Sequence, residues 1–398
     1  MYLEESSFAA PEDVLEQMFA RWKPEPKTEV IKTVSAHGRV CAEDVYSFNT
    51  LPVCRSAGGD GIAVKGERFK DGNIPDPTGW VKGVDYCMAD TGDDFDDAFD
   101  TVIRVESLIY HEDGSFSFVP DIKVTPGQMV GQRGHNVKEG ELLAAKGSVL
   151  TLLQLETITA GGHPEIKVYK KPVVAYIPTG SELIPSGQTP KRGENVQSSG
   201  TLIRASLARF NAELLEYDIV VDDKQKIADA FHDALKKADI VMMSGGTSKG
   251  SEDFTARIME AESSYFQHGT QCVPGRPAGV GLIGNTPVIN IPGPPFGAFV
   301  VLDWCVRELV YALQGTKAPK RLRLPAVLTE PVNSPPFGYR FYVRVSITEE
   351  NGKYMATPMT RGTRNAVSAA TCAGILLVPA HCKGYAAGDN VFIELITD

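Results

Sequence analysis

Residues 171 to 317 alternate short apolar runs with longer stretches whose apolar residues recur every three or four positions. The apolar runs predict buried β-strands, and the periodic stretches predict amphipathic helices. The predicted strands lie within residues 171–183, 217–223, 239–246 and 287–295, and the predicted helices within 201–215, 224–238, 253–261 and 298–315. Because this alternation is typical of parallel strands joined by crossover helices, we predict an α/β three-layer domain with a parallel-rich sheet over 171–317.

The segments before this domain have different patterns. An amphipathic helix is predicted over residues 11–22, and a second helix, its predicted partner, lies within 147–162. The residues of the first helix that share its apolar stripe are Val14, Leu15, Met18, Phe19 and Trp22. Between the two helices, short runs broken by Gly, Pro and Asp predict a β-rich insertion.

After residue 317 the pattern turns to β-strands again, with a hairpin predicted at Asn351 and Gly352. The expected architecture is therefore multidomain, α/β plus β, ending in a small β-barrel-like domain. The predicted boundaries are a helical linker and dimerisation domain at 1–40 with 141–170, an inserted β-rich domain at 41–140, the α/β domain at 171–317 and the C-terminal β domain at 318–398.

Composition narrows the class of protein. The 398 residues carry a net charge of −10, which argues against a protein that binds nucleic acid through the phosphate backbone. No run of about 18 uncharged apolar residues predicts a membrane span. The seven cysteines form no CxxC pair, which favours a reducing compartment. We expect a soluble, cytoplasmic protein without nucleic-acid or membrane partners.

The run IVMMSGGTSKGSEDFT, residues 240–255, leads from a predicted strand into a glycine-rich loop and then a helix. Ligands of open parallel sheets bind beyond the carboxyl ends of the strands, where glycines let backbone N–H groups approach an anion. The loop therefore predicts a phosphate or another oxyanion as ligand. It is neither GxGxxG nor GxxxxGK[ST], so a dinucleotide or an ordinary nucleoside triphosphate is disfavoured. A tight turn without a ligand is the alternative.

Four acids follow strands that should end at the same edge of the sheet: Glu182, Asp222, Asp223 and Asp253. Carboxylates beside a phosphate site indicate a divalent cation, because Mg²⁺ binds one or two carboxylates together with substrate oxygens. The alternative for Asp223 and for Asp253 is a helix N-cap.

The chain resembles the molybdopterin molybdenumtransferases, or molybdenum insertases, a family that includes the gephyrin E domain. PTGSEL, VVDD, MSGGTSKGSEDF, VPGRP and NIPGPP occur in the order of that family's motifs, and SAGGDGIAV and GQRGHNVKEGELLAAKG resemble its earlier segments. The resemblance covers essentially the whole chain. It implies a homodimer that takes adenylated molybdopterin and molybdate, or tungstate, and inserts the metal in a Mg²⁺-dependent step that releases AMP.

The resemblance also implies roles for individual residues. Asp60 and Asp253 are expected to position metal or substrate, Glu182 to orient water, and Ser248 with the loop amides to hold the terminal phosphate. The expected catalytic residues are Asp60, Glu182 and Asp253, the metal ligands Asp222, Asp223 and Asp253, and the substrate-binding residues Gly245, Gly246, Thr247, Ser248, Lys249, Gly275, Arg276, Pro292 and Gly293. Molybdopterin adenylyltransferase and recipient apo-enzymes are the implied protein partners.

Several positions depart from the family pattern. Val273 stands where a cation is usual although Arg276 keeps the second charge, Pro294 replaces an amide side chain, Asn136 replaces an acid, and one residue is added before Asp60. Losing a cation beside an oxyanion weakens its electrostatic stabilisation. Two functions stay open: an insertase, selective for molybdate or tungstate, or a catalytically weakened relative that binds molybdopterin or the finished cofactor as a carrier or scaffold.

Overall fold

The computed structural model describes residues 7–245, 254–359, 369 and 371–396. Residues 29–168 form one compact unit, and the described residues on either side of them form the other. Within the described ranges, no helix is long and apolar enough to cross a membrane. The four-domain boundaries remain a prediction, because this division is coarser.

The helices overlap the segments of the sequence in which apolar residues recur at helical spacing. They are α1 Pro11–Arg21, α2 Leu152–Ala160, α3 Ser199–Arg209, α4 Lys224–Lys237, α5 Phe254–Glu262, α6 Pro295–Val301 and α7 Arg307–Leu313, with a π-helical segment, Leu302–Val306, joining the last two.

The strands of the first 170 residues are β1 Thr28–Lys32, β2 Val45–Tyr46, β3 Ser56–Ala57, β4 Gly61–Val64, β5 Tyr86–Ala89, β6 Thr101–Arg104, β7 Leu108–Tyr110, β8 Phe116–Phe118, β9 Val130–Gly131, β10 Leu142–Ala144 and β11 Glu165–Tyr169. The strands that follow, up to the C-terminal domain, are β12 Val173–Pro178, β13 Leu183–Ile184, β14 Asn195–Val196, β15 Glu213–Glu216, β16 Ile240–Ser244, β17 Tyr265–His268, β18 Cys272–Val273, β19 Gly279–Ile283 and β20 Thr286–Ile291. The C-terminal strands are β21 Arg323–Leu328, β22 Val332–Asn333, β23 Arg340–Glu350, β24 Lys353–Pro358, β25 Gly374–Val378, β26 Gly384–Tyr385 and β27 Asn390–Leu395.

The unit of residues 29–168 is built of small sheets and one helix. β4 lies between β5 and β6 in an antiparallel three-stranded sheet, and the pairs β1–β11, β2–β10, β3–β9 and β7–β8 are two-stranded. α2 begins with a capping box, in which Thr151 and Gln154 each accept a bond from the other's backbone N–H. The predicted β-rich character of residues 41–140 agrees with these strands.

α1 packs within the other unit. Val14 and Met18 are fully buried, and the Trp22 indole N–H donates to the carbonyl of Asn285 at 3.0 Å. The expected pairing of α1 with the helix within 147–162 stays a prediction. The apolar stripe shows that α1 must be covered, but it does not identify the element that covers it.

The central sheet has the order β15-β12-β16-β20-β19-β17. β15, β12, β16 and β20 run parallel, and β19 and β17 extend the sheet as antiparallel strands. The parallel-rich α/β prediction is confirmed, and the antiparallel hairpin is an addition to it. The strand predicted at 217–223 is misplaced: Asn211 ends α3 at a φ of +62°, and the strand forms directly afterwards.

One face of this sheet is covered by α4 and α5. Ile227 and Phe231 of α4 and Ile258 and Met259 of α5 form a buried cluster with Met243 of β16. Fully burying one such side chain stabilises the fold by about 1.5–3 kcal/mol. The cluster fixes the two helices on the sheet, and with them the segments that precede the helices.

The C-terminal domain is a closed barrel. β23, β24, β21, β27 and β25 follow one another, and β25 pairs back onto β23. The hairpin between β23 and β24 turns at Asn351 and Gly352, both with positive φ, as a two-residue turn requires. This confirms the predicted barrel-like domain.

Candidate functional site

The parallel strands β12, β16 and β20 end side by side, and their carboxyl ends form the edge at which the sequence places a ligand. At this edge the end of β12 is fastened to the end of β16. Thr179 is buried, and both its backbone N–H and its hydroxyl donate to the carbonyl of Ser244, at 2.9 and 2.7 Å. The glycine loop therefore leaves the sheet from a fixed point.

Gly245, the last described residue before that loop, has a φ of +104°. A Cβ here would collide with the carbonyl oxygen of Thr179, so both the conformation and the space require glycine. The hydroxyl of Thr255 donates to the carbonyl of Gly245 at 2.7 Å, and the buried amide of Asn290 donates to that hydroxyl at 3.2 Å. The start of the loop is therefore fixed by the Thr179 carbonyl beside it and by the hydrogen bonds that join Gly245, Thr255 and Asn290.

The neighbouring acids Asp222 and Asp223 have different partners. The carboxylate of Asp222 accepts the backbone N–H of Ser181 at 2.8 Å, and the Ser181 hydroxyl accepts the backbone N–H of Asp222 at 3.0 Å. Asp222 thereby joins the loop after β12 to the segment before α4. Asp223 is the N-cap of α4 and accepts the backbone N–H of Lys226 at 2.9 Å. The N-cap interpretation thus agrees with the contacts of Asp223.

Glu182 is exposed and lies beside the same loop. Gly180 has a φ of +149°, and a Cβ on it would meet the Glu182 carboxylate at 2.7 Å. The amide of Gly180 donates to the carbonyl of Val220 at 3.0 Å, which continues the sheet beyond β12. The carboxylate of Glu182 therefore folds back over a glycine at the strand end.

The segments that contain Gly275 and Gly293 border the same domain. The Ser199 hydroxyl at the start of α3 donates to the carbonyl of Gly293 at 3.3 Å, and Pro292 directly follows β20. Gly275 has a φ of +118°, and a Cβ on it would lie 2.9 Å from the Cys272 sulfur. Cys272 is fully buried, and desolvation raises the pKa of its thiol to about 11, as expected for an apolar filler.

Arg276 lies against aromatic rings. Its guanidinium carbon is 4.0 Å from the ring centre of Phe337, 5.4 Å from that of Phe8 and 5.9 Å from that of Tyr339. These contacts are of the cation–π kind, which the planar guanidinium suits. The nearby Val273 is half-buried and brings no charge.

Asp60, in the unit of residues 29–168, accepts two hydrogen bonds from Thr91, which lies 31 residues later in the chain. Its Oδ1 accepts the hydroxyl of Thr91 at 2.6 Å and the backbone N–H of Thr91 at 2.7 Å. The hydroxyl bond, then the backbone bond, hold the pKa of Asp60 below its ordinary value. In the acidic run 90–100, Phe95 and Phe99 are buried. The Asp94 carboxylate accepts the backbone N–H of Phe95 at 2.9 Å, and the Asp96 carboxylate accepts that of Ala98 at 2.8 Å.

Five predicted site residues lie outside the described residues: Gly246, Thr247, Ser248, Lys249 and Asp253. Among the residues that the structure does describe, no group of three His, Cys, Asp or Glu side chains could hold a metal ion. A magnesium ion that binds one or two carboxylates and substrate oxygens does not need such a group.

A buried hydrogen-bond chain at this edge escaped the sequence analysis. The Tyr176 hydroxyl lies 2.7 Å from the Ser244 hydroxyl and accepts the side-chain amide of Gln197 at 3.3 Å. Burial raises the pKa of Tyr176. Its position within an apolar run suggested only core packing, and no sequence signal marks its partners.

Three family models match successive parts of the chain. The model described as "MoeA N-terminal region (domain I and II)" matches residues 9–162, "Probable molybdopterin binding domain" matches 175–312, and "MoeA C-terminal region (domain IV)" matches 325–396. The chain belongs to the MoeA family. The molybdopterin-binding model includes the carboxyl ends of the parallel strands together with Asp222, Gly245 and Gly275.

Relatives and solved structures agree with the MoeA assignment. The molybdopterin molybdenumtransferase of Haemophilus influenzae is 29% identical over 74% of this chain and 75% of its own length. The one of Bacillus subtilis is 23% identical over 98% of this chain and 94% of its own. A crystal structure of a MoeA molybdopterin biosynthesis protein from Pyrococcus horikoshii has a TM-score of 0.75 and 25% identity, and covers 98% of this chain and 100% of its own. The chain is thus a molybdenum-cofactor biosynthesis protein of the MoeA family.

Proposed function

We propose that this protein is a molybdenum insertase that uses adenylated molybdopterin and molybdate and releases AMP. The observation that carries the proposal is the start of the glycine loop, where Gly245 is packed against Thr179 and tied to Thr255 inside the molybdopterin-binding domain. Such a turn presents backbone N–H groups beyond the strand ends, and these groups suit a phosphate. The relatives named molybdopterin molybdenumtransferase support the reaction class.

The residues fit a magnesium ion in part. The Ser181 amide fixes the Asp222 carboxylate through Oδ2, and this carboxylate would be available to hold the metal, whereas Asp223 caps α4. We therefore assign Asp222 and Asp253 to the metal and leave Asp223 to the helix. Magnesium would neutralise the charge that develops on the phosphate oxygens during cleavage. This chain's own residues hold the phosphates through backbone amides, and Glu182 orients the attacking water.

Asp60 is proposed to complete the site of a partner chain in a homodimer. The two bonds from Thr91 hold its carboxylate in one orientation, as a group that positions a cation or substrate requires. Mixing inactive Asp60→Ala with inactive Asp253→Ala chains should restore activity in heterodimers. Absence of recovery after proven subunit exchange would contradict a shared site.

A carrier or scaffold is the second candidate, and Val273 favours it. This residue is half-buried and uncharged where the family's motif has a cation, so an oxyanion loses one charge-assisted contact, worth roughly 1.5–3 kcal/mol. A third possibility within the insertase class is selectivity for tungstate. Molybdopterin adenylyltransferase, as the source of substrate, and apo-enzymes, as recipients of product, are the proposed protein partners.

The deciding experiment measures AMP released from adenylated molybdopterin with Mg²⁺ and either molybdate or tungstate. An insertase turns over with at least one oxyanion, and Asp253→Asn abolishes turnover in a folded protein because it removes charge and keeps shape. A carrier binds adenylated molybdopterin tightly but releases no AMP, and that result would overturn the proposal. Val273→Lys should lower the molybdate KM of an insertase about ten- to hundredfold, and it should not create AMP release in a carrier.

A further inference from the structure

Arg276 is contacted by aromatic rings from two segments that are far from it in sequence. Phe8 comes from the segment before α1, and Phe337 and Tyr339 come from the segment before the barrel strand β23. We call Arg276 with these three rings the Arg276 clamp. All four residues belong to one compact unit, so their packing is a property of that unit alone.

The N-terminal side of the clamp is built into the loop before β18. The Phe8 ring fills the space beside Gly269, where a Cβ would collide with it. The side chain of Gln271 donates to the carbonyl of Phe8 at 2.7 Å, and the backbone N–H of Gln271 donates to the carbonyl of Ala9 at 2.8 Å. The segment of residues 7–9 therefore forms part of the wall of the loop.

The C-terminal side is anchored to the same loop. β18 pairs with the start of β23, and the backbone N–H of Arg340 donates to the carbonyl of Gln271 at 3.0 Å. Phe337 has a φ of +60°, a conformation that costs a non-glycine residue about 1–3 kcal/mol and persists only when neighbouring contacts hold it. Its ring is more than half exposed and lies over Arg276, so the unfavourable backbone places the ring on the guanidinium.

We infer that Arg276 is a positioning residue for the loop of residues 272–276. The carbonyl of Arg276 accepts the backbone N–H of Thr270 at 2.9 Å, and Gly275 accepts that of Ala278 at 2.9 Å, so a fixed Arg276 closes the loop on itself. The rings fix the side chain, and the side chain fixes the backbone. The functional part of this inference rests on the proposed insertase activity, whereas the packing part does not.

The clamp explains why this chain uses arginine. A guanidinium is planar, stacks on aromatic faces and is weakly hydrated, whereas an ammonium is a compact and strongly hydrated charge. A residue that binds an oxyanion through charge tolerates lysine. A residue that stacks between rings loses contact area when it becomes lysine, although the charge is unchanged.

The test compares Arg276→Lys, Phe337→Leu and the double variant with wild-type protein. Phe392→Leu is the matched control, because Phe392 is an exposed phenylalanine of the barrel strand β27 outside the clamp. The first readout is amide hydrogen exchange at Thr270 and Ala278, whose N–H groups report on loop closure. The second readout is the molybdate KM and the kcat of AMP release, each measured separately.

If the clamp positions the loop, Arg276→Lys and Phe337→Leu each accelerate exchange at Thr270 and raise the molybdate KM, about threefold to thirtyfold, with kcat unchanged. The double variant should add little to either single change, because both remove the same contact. Phe392→Leu should behave as wild type in both readouts.

Wild-type exchange in Phe337→Leu would overturn the clamp. Faster exchange with an unchanged KM, in a chain that does release AMP, would overturn the positioning role. A wild-type chain that releases no AMP would refute the proposed function, and the clamp is then decided by exchange alone, so the two failures are distinguishable.

Discussion

The two edges of the central sheet are built differently: charged side chains hold the chain at the amino edge, and constrained glycines and hydroxyl groups hold it at the carboxyl edge. At the amino edge, a cavity of about 200 Å³ is lined by Lys27, Lys170, Lys171 and Asp239, among others. Asp239 there accepts the backbone N–H of Val173 at 2.9 Å and pairs with Lys27 at 3.1 Å. These charges are used to fasten the chain where β12 and β16 begin.

Among the described residues, the carboxyl edge carries the acids Glu182, Asp222 and Asp223 where the amino edge carries lysines, and its backbone is more constrained. Gly180 and Gly245 both have positive φ, and hydroxyl groups from Thr179 and Thr255 accompany them. Ligand sites of parallel sheets lie at this edge because loops and helix N-termini converge there. If the proposed function holds, a constrained glycine turn is a better guide to the site of this protein than a cavity rich in lysine.

The largest expected effect is that of Gly245→Ala. The new Cβ meets the Thr179 carbonyl, so the loop must move, and we expect a loss of stability of about 1–3 kcal/mol and of AMP release by at least about a hundredfold. AMP release and thermal unfolding are measured together.

The matched change at the amino edge is Lys27→Met, which removes the mostly exposed ion pair with Asp239 and should cost less than about 1 kcal/mol. Its turnover should equal that of wild type. Equal losses of turnover in Gly245→Ala and Lys27→Met would contradict the placement of the functional site at the carboxyl edge.

A smaller effect separates the neighbouring acids of the carboxyl edge. Asp222→Asn and Asp223→Asn each remove one charge and keep an acceptor for the Ser181 or Lys226 amide. If Asp222 is a magnesium ligand, Asp222→Asn raises the Mg²⁺ concentration needed for half-maximal AMP release about tenfold. Asp223→Asn should keep the wild-type value, since asparagine is also a good N-cap. The reverse order would assign the metal to Asp223.

The smallest expected effect is a change in the pKa of Asp60, in the unit of residues 29–168. The low pKa of Asp60 depends on the Thr91 hydroxyl, so Thr91→Val should raise it toward the ordinary value. Because the folded-state pKa is lowered, this contact contributes stability above the unfolded pKa of about 3.9, and the contribution is lost as pH falls through the folded value. Carboxylate NMR titration measures the shift.

Asp76 is the control for that titration, because its pKa is also lowered, by a bond from the hydroxyl of Thr78 two residues away. Thr91→Val should leave Asp76 unchanged. If the pKa of Asp60 is unchanged in Thr91→Val, the backbone bond from residue 91 alone lowers that pKa.

Sequence pattern predicts the elements of the central domain well, because each is a local choice. The apolar run before Gly245 and the Asn351 and Gly352 turn both form as predicted. The antiparallel β17 and β19 were not predicted, since they are short and β19 contains two glycines, Gly279 and Gly281, which weaken a strand signal.

The site could be predicted less completely, because its contacts join distant parts of the chain. Asp222 and Asp223 are adjacent and chemically identical, and only tertiary structure separates a loop contact from a helix cap. Phe8 and Phe337 are far from Arg276 in sequence, so its clamp has no local signature. The substrate contact predicted for Arg276 stays a prediction, and the aromatic packing is an addition that the fold provides.

The most direct test of the central claim is amide hydrogen exchange of the whole chain with and without adenylated molybdopterin and Mg²⁺. Our account predicts slower exchange after binding in residues 179–182 and at Ile291 and Gly293, at the carboxyl edge. It predicts no change at Lys170, Lys171 and Val173 or in residues 237–239, at the amino edge. Protection confined to the amino edge would contradict it and place the ligand in the lysine-lined cavity.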